Sequence, residues 1–519
     1  MKISEKNTAK KILKNIYQLF LKCRFVIEFL VSILLGISVL KIFYYHTYFA
    51  HTSYKNIIFS IFLIAIILFI IIDILRKKEK LEKVFLGFMI PIGMLFLIMN
   101  IPGYVPDEAA HIYRAYDVSK GILVAPVDEN GYYESVVPKD MNLNDREQFR
   151  TYKMLFDKLA ETNDYNDTEG LFNPAQSYSF VMYIFSAIAF LIGRLCGLNI
   201  FLVIYLARIF NFIFFLVAGY FTIKILPFGK WVAFTYLFNP ILIHEAASIS
   251  ADSIVNSVIL FFISYVIYLA YKKEKVNIKE KALLLATGII ISLAKYVYFP
   301  IIFIAMILLN TKAVENKKDK RYIYITMGVT FILAIISYLL STKYKYINAY
   351  VLEHNIDSTE QIKFILQHPL KYISIIYQTV ALNGQDYFLG FNGKYLGWLN
   401  ILVSGVPVIL YSMMLLISPW IEKTKIELKK SAKIWFSIIF IAVFVLVLTG
   451  MYLINSEIGA DIILGVQGRY FLPIGILLLY DLISPERYVK FKNVRLIYLA
   501  LLIFVDFSAL NALKTFFLI

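Results

Sequence analysis

Apolar runs long enough to cross a bilayer recur from one end of this chain to the other. One helical crossing takes about 20 predominantly apolar residues. Runs of that kind, or close to it, occupy roughly 25–44, 56–75, 83–101, 201–226, 231–248, 252–271, 282–294, 297–310, 321–341, 399–419, 433–455, 468–484 and 495–516. A further apolar helix is expected at 178–196. The longest polar stretches run from about 102 to 176 and from about 342 to 397. This pattern predicts an all-α polytopic transmembrane helical bundle of about 13 spans, with no separate soluble domain.

Charge then sets the threading. Lys and Arg gather in 1–24, RKKEKLEK (76–83), KKEKVNIKEK (272–281), NKKDKR (316–321), EKTKIELKK (422–430) and PERYVKFK (485–492). Such clusters mark cytoplasmic loops. The first two place 102–176 outside. Counting 178–196 as a crossing would put the cluster at 272–281 outside as well. The parity therefore predicts that 178–196 does not cross; it lies in the outer interface or dips in and returns, as non-spanning elements do where protein covers them. The region 282–310 has basic loops at both ends and must cross an even number of times. Two halves of that length are short for helices rising 1.5 Å per residue. Lys295 and Pro300 mark the expected bend, with Lys295 either lining a pathway or snorkelling to headgroups.

The expected protein is integral to the cytoplasmic membrane, with its N-terminus inside and its C-terminus outside. Its divisions are 1–80 (N-terminus and two extra spans), 81–310 (core spans with the large outer loop 102–200) and 311–519 (C-terminal spans with outer loop 342–398). The N-terminal apolar run is full-length and lacks a small-residue exit, so it reads as an uncleaved span. The net charge of +16 sits in short loops between spans, which argues against nucleic-acid binding. Two cysteines, Cys23 and Cys196, imply no disulfide or cysteine-metal framework.

Candidate chemistry collects on the outer side. The strongest local signal is IPGYVPDEAAHIYRAYDVSKG (101–121). Pro106 can open a helix at its first position. In that helix Asp107, His111 and Arg114 share one face, with Glu108 beside them. Four ionisable groups just past a span are costly unless solvated, paired or metal-bound. An acid here could act as general base, with Arg114 holding an anion and His111 tuning or ligating; an ordinary charged first turn is the plainer alternative. HEAASISADS (244–253) brings His244, Glu245 and Asp252 to the outer mouth, where Asp252 could instead cap the next helix. Arg208 lies in the outer third of its span and calls for a phosphate or carboxylate partner, or snorkels. GVQGRYFLP (465–473) places Gln467 and Arg469 at the outer end of another span. The Gly- and aromatic-rich LNGQDYFLGFNGKYLGWLN (382–400) suits a sugar surface or an interfacial belt. NDYNDTEG (163–170) lacks the ligand spacing of a calcium loop and reads as a solvated turn.

PDEAAHIYRAYDVSKG, SADSIVN, GKYLGWLN and VQGRYFLP, in that order over roughly 83–516, resemble a large bacterial family of polytopic membrane proteins of unassigned function. That family in turn resembles the C-type membrane glycosyltransferases (GT-C). The resemblance implies a first outer loop with a catalytic acid, a juxtamembrane helix that does not cross, and a polyprenyl-phosphate-linked sugar donor. Matched by position, Asp107 is the loop acid, with Glu108 as its neighbour. Asp252 falls where some members carry a second acidic or metal-binding residue, and Arg469 could hold the donor phosphate. The expected activity is transfer of a sugar to a cell-envelope glycan, lipid or protein at the outer membrane face. Asp107 and Glu108 are the catalytic pair. His111, Arg114, Arg208, Lys295, Arg469 and Gln467 bind substrate, and a divalent metal (Mg or Mn) could be held by Asp107 and Asp252. The expected partners are the lipid-linked donor and membrane lipids. A transporter or flippase, an intramembrane metal-dependent hydrolase and a non-catalytic envelope scaffold are the rival readings. Glu108-x-x-His111 supplies only half of a hydrolase metal motif.

Overall fold

A computed structural model gives the fold and describes residues 2–49, 54–124, 126–127, 133–144, 151–341, 354, 356–490 and 493–518. Most of the expected outer loop's first part, 342–353, lies outside the described residues. Three long helices open the chain: α1 (Lys2–Phe49), α2 (Tyr54–Arg76) and α3 (Leu81–Met99). The long polar stretch holds α4 (Glu108–Ser119), β1 (Glu134–Pro138), α5 (Tyr152–Ala160), β2 (Thr168–Phe172) and α6 (Ile184–Cys196). Strands β1 and β2 pair antiparallel, Glu134 opposite Phe172. Then come α7 (Ile200–Ile225), α8 (Lys230–Leu237), α9 (Pro240–Ala246), α10 (Ala251–Tyr271), α11 (Ile278–Ala294), a 3-10 helix (Tyr296–Asn310) and α12 (Lys317–Ser341). The rest comprises α13 (Ser358–Gln367), α14 (Pro369–Phe391), the short antiparallel pair β3 (Tyr395–Leu396) and β4 (Ile401–Leu402), α15 (Gly405–Ile417), α16 (Lys430–Asn455), α17 (Leu472–Asp481) and α18 (Val494–Leu518). The protein is an all-α polytopic membrane protein.

Among the described residues, 8 helices are long and apolar enough to cross a membrane: the Leu21–Tyr45 part of α1, then α2, α3, α7, α10, α12, α16 and α18. Several expected spans are not single long helices. The stretch 231–248 breaks into α8 and α9. Pro240 cannot continue the hydrogen-bond ladder of α8, and the Asn239 side chain accepts from the Ile241 and Leu242 N–H groups to start α9. The stretch 468–484 is a 3-10 turn (Gly468–Phe471) leading into α17, which is only 10 residues long.

These short pieces still run from one end of the bundle to the other. At one end Arg24 pairs with Asp73 and Glu79, Lys281 with Asp319, and the Tyr271 hydroxyl donates to the Glu427 carbonyl. Lys230 N–H reaches Glu422, and Val489 N–H reaches the Trp420 carbonyl. Gly219 of α7 lies against Phe85 of α3, while Arg208 bonds the Leu97 carbonyl. These two helices are therefore antiparallel, and the basic segments at 76–83 and 224–230 share an end. The opposite end carries the described residues of 101–200, with Glu245, Lys295 and Arg469. The pieces α8–α9, α11, the 3-10 helix, α15 and the 468–481 segment all pass between these ends. Among the described residues, the 8 long helices alone have the length and composition of a membrane span.

The 3-10 geometry resolves the length problem at 282–310. Fifteen residues at about 2.0 Å rise each extend ~30 Å, a full hydrocarbon thickness, where an α-helix would fall short. The bend is at Lys295 alone, which is extended between the two helices, while Pro300 sits inside the 3-10 helix.

The helix at 178–196 is shorter than the candidate spans. Its 13-residue α6 is about 20 Å long. Ser186 Oγ bonds Asn211 Oδ1 at 2.9 Å, and Gly193 packs on Val203. It thus runs antiparallel along only the N-terminal half of α7, then reverses at Gly197 with φ 60°. The element that the hydropathy pattern does not single out is α14. It lies over the loop end, with Tyr372 bonded to Thr449 near one tip and the Phe391 carbonyl bonded to Asn239 at the other.

Candidate functional site

Two ion clusters lie side by side at the loop end, and the PDE motif feeds both. Asp107 precedes α4 in the left-handed conformation, φ 62° and ψ 3°, which a non-glycine residue adopts only at a cost. Its side chain does not cap the helix. Pro106 therefore lies before the helix rather than at its first position. The turn sends neighbouring carboxylates in opposite directions.

Glu108 points inward and is fully buried against Arg208. Its Oε1 accepts from Arg208 Nε at 2.8 Å and from Ile249 N–H at 3.1 Å. Its Oε2 accepts from Arg208 Nη2 at 2.6 Å and from Gly103 N–H at 2.9 Å. Arg208 also donates to the carbonyls of Leu97, Asn100 and Ile101. Those carbonyls belong to the end of α3 and its exit, where a helix leaves acceptors unpaired and negative. A guanidinium has five N–H donors, and all are used here within the protein.

Asp107 points the other way, with its side chain 52% exposed and Oδ2 3.0 Å from Arg469 Nη2. Arg469 is buried and gathers a second cluster. Its Nη1 lies 3.1 Å from Glu245 and 3.5 Å from Asp252, and its Nε donates to Gln467 at 2.7 Å. Asp252 Oδ1 pairs with Lys295 at 2.5 Å. Glu245 also accepts from Asn256 at 3.2 Å. Ser250, not Asp252, caps α10, which leaves the Asp252 carboxylate free for these cations. His111 stands beside them, its Nδ1 2.7 Å from the Tyr183 hydroxyl and its ring tilted against Tyr178, over which Lys295 also sits. Burial pushes the imidazole down to about 4, against the pull of Asp107 and Asp252. His111 is therefore a neutral ring at physiological pH.

A cavity of about 210 Å³ adjoins this cluster, lined by Pro106, Arg469 and Gln467 on one side and by α14 and the β3–β4 region on the other. Gly468 makes the approach possible. A Cβ there would run into the Tyr387 carbonyl and the Phe391 nitrogen, so only glycine lets the α14 backbone come this close. The β3–β4 turn is pinned by Trp398 Nε1 donating to the Gly103 carbonyl and by Gly397 N–H donating to His244 Nε2.

The family profile described as predicted membrane protein (DUF2142) matches residues 88–478. The chain belongs to this family. Searches of the curated proteins and of the solved structures give no match. The DUF2142 match runs from within α3 to within α17 and so includes both clusters.

Within this DUF2142 protein, tertiary structure sorts the expected site residues. Asp107, Asp252, Lys295, Arg469 and Gln467 come together, with His111 at their edge. Glu108 and Arg208 do not face the cavity; every hydrogen-bonding group of Arg208 is committed to the protein, which removes it as a phosphate ligand in this arrangement. Arg114 is buried and donates to the Ile122 and Leu123 carbonyls, tying down the end of α4 rather than meeting Asp107. Glu245, placed at the mouth by its sequence neighbourhood, is a direct partner of Arg469. Tyr183 carried no motif signal, because long-range packing alone brings it here, while Asn383 and Asp386 come from the 382–400 segment that suits a sugar surface or an interfacial belt.

The donor set does not fit a divalent metal. Both Asp252 oxygens and the near oxygens of Asp107 and Glu245 face Arg469 or Lys295, so cationic side chains occupy the place of the ion. Among the described residues no group of three His, Cys, Asp or Glu is arranged to hold one.

Proposed function

We propose that this protein is a membrane glycosyltransferase. It moves a sugar from a polyprenyl-phosphate-linked donor to a cell-envelope acceptor on the outer face of the cytoplasmic membrane. The observation that carries the reading is the pairing of a half-exposed carboxylate, Asp107, with a buried guanidinium, Arg469, whose residue lines the adjoining cavity. A glycosyl transfer with a phosphate leaving group needs these two functions within one sugar's reach. The clustering of basic loops at the opposite end supports an outward-facing site. The short α6 and the acid after the first core span agree with the GT-C resemblance, which as fold analogy does not by itself establish activity.

In this mechanism the donor phosphate takes the Arg469 Nη2 now bound to Asp107, with Lys295 adding positive charge nearby. The released Asp107 carboxylate accepts the proton of the acceptor hydroxyl as its oxygen attacks the anomeric carbon. The bond from that carbon to the phosphate oxygen breaks, its electron pair leaves with polyprenyl phosphate, and configuration inverts. The test is purified protein in nanodiscs with a polyprenyl-phosphate sugar panel and envelope extract as acceptor. Release of polyprenyl phosphate with labelled acceptor is expected, and undiminished activity in Asp107→Asn removes Asp107 as base. The broken passes around Asn239 and Lys295 favour one second reading, a transporter of lipid-linked sugars. Movement of unchanged donor across sealed liposomes would select it.

A further inference from the structure

We infer that the cavity beside Arg469 is the pocket for the donor's sugar ring, read by Asn383 and Asp386 of α14. This rests on the reading of the protein as a user of polyprenyl-phosphate sugars, and it adds which residues recognise the sugar.

Asn383, Asp386, Tyr387 and Gly390 all line the cavity. They stand at i, i+3, i+4 and i+7, so one face of α14 forms this wall. Gly390 touches the Gly468 backbone, next to Arg469. Asp386 lies about one helical turn, ~5 Å, along α14 from Gly390, on the same cavity wall that meets the residue next to Arg469. Asp386 Oδ1 accepts from the Tyr395 hydroxyl at 3.0 Å, and its other oxygen has no hydrogen-bond partner among the described residues. A carboxylate with an open oxygen beside an amide matches a pair of neighbouring hydroxyls, one accepting and one donating.

The lining also excludes other headgroups. Arg469 and Asp386 are its charged members. One cation serves one phosphate, and Asp386 repels a second anion. The cavity of about 210 Å³ leaves room for a sugar ring. Tyr387 and Tyr395 offer an apolar ring face with a polar tip, which suits the mixed C–H and O–H surface of a sugar.

The experiment is titration of the full chain in detergent with a short-chain prenyl-phosphate hexose and with the same prenyl phosphate lacking the sugar. Asn383→Ala and Asp386→Asn should each weaken the sugar-bearing ligand at least tenfold and leave the sugar-free ligand within twofold. Equal effects on both ligands, or none on either, overturn the pocket assignment while the transferase reading stands. Wild-type binding without transfer overturns only the transferase chemistry. Wild-type protein that binds neither ligand overturns both.

Discussion

Asp107 and Glu108 are adjacent in sequence and opposite in fate. Glu108 ends in a closed ion pair with no exposure on either side chain. Asp107 ends in an open cluster with its own carboxylate 52% exposed. The closed pair is saturated: each partner's hydrogen-bonding capacity is met by the other and by the exit of α3. The open cluster holds three acids, Asp107, Glu245 and Asp252, against the two cations Arg469 and Lys295. One of its acids can leave without stranding a buried charge. Saturation makes a structural clasp; the unsaturated, half-exposed arrangement leaves a group free to exchange partners with a ligand.

This contrast is open to direct attack. The largest effect is expected at the clasp. Arg208→Ala leaves the buried Glu108 carboxylate without its cation, held only by the Ile249 and Gly103 N–H groups, and breaking a buried pair costs about 3–5 kcal/mol. Little folded protein should be recovered by size-exclusion chromatography, and Arg208→Lys should not rescue it, because an ammonium cannot span five acceptors. In the open cluster, Asp107→Asn should lower transfer by about 10²–10⁴-fold while the unfolding midpoint stays near wild type. A collapse of stability in this variant would show that the two clusters do the same work. Next comes Arg469→Lys, which keeps the charge but loses the fork. The KM for the lipid-linked donor should rise about tenfold, the size of one lost charge-assisted contact of ~1.4 kcal/mol, with a smaller change in kcat.

The smallest effect concerns pH. Folding lowers the His111 pKa from its ordinary 6.5 to about 4, so the unfolded chain takes up the proton first as pH falls. His111 therefore contributes stability that is fully present above about 6.5 and is lost as pH drops toward about 4. The unfolding midpoint should decline across that window, and His111→Gln should flatten the decline. An unchanged slope would mean that His111 is not held neutral beside the cluster.

Much of the architecture was legible beforehand. The charge parity around 102–281 required a helix that does not cross, and in the fold α6 is short and lies along only the first half of α7. The motif residues Asp107, Asp252 and Arg469, far apart in the chain, do converge. Arg208 and Glu108 were legible as functional only in type, since an arginine deep in a span and an acid in a loop look alike whether they bind a ligand or each other. The α14 wall was legible in composition and not in structure. The segment 382–400 read as a loop suiting a sugar surface or an interfacial belt, because Asn383, Gly384, Gln385 and Asp386 break its apolar pattern; only the fold shows one helix over 369–391 packed on Gly468.

The sequence by itself determined the membrane class, the loop ends and the positions of the ionisable residues. Hydropathy and charge act through the solvent, and the bilayer imposes the same cost on every chain. Tertiary structure alone decided which carboxylate is buried and which is free. That choice depends on a left-handed turn at Asp107, on the carbonyls that Arg208 finds at the end of α3, and on a glycine at 468 that admits a distant helix. Such contacts are set by three-dimensional complementarity between segments hundreds of residues apart, for which local pattern carries no record.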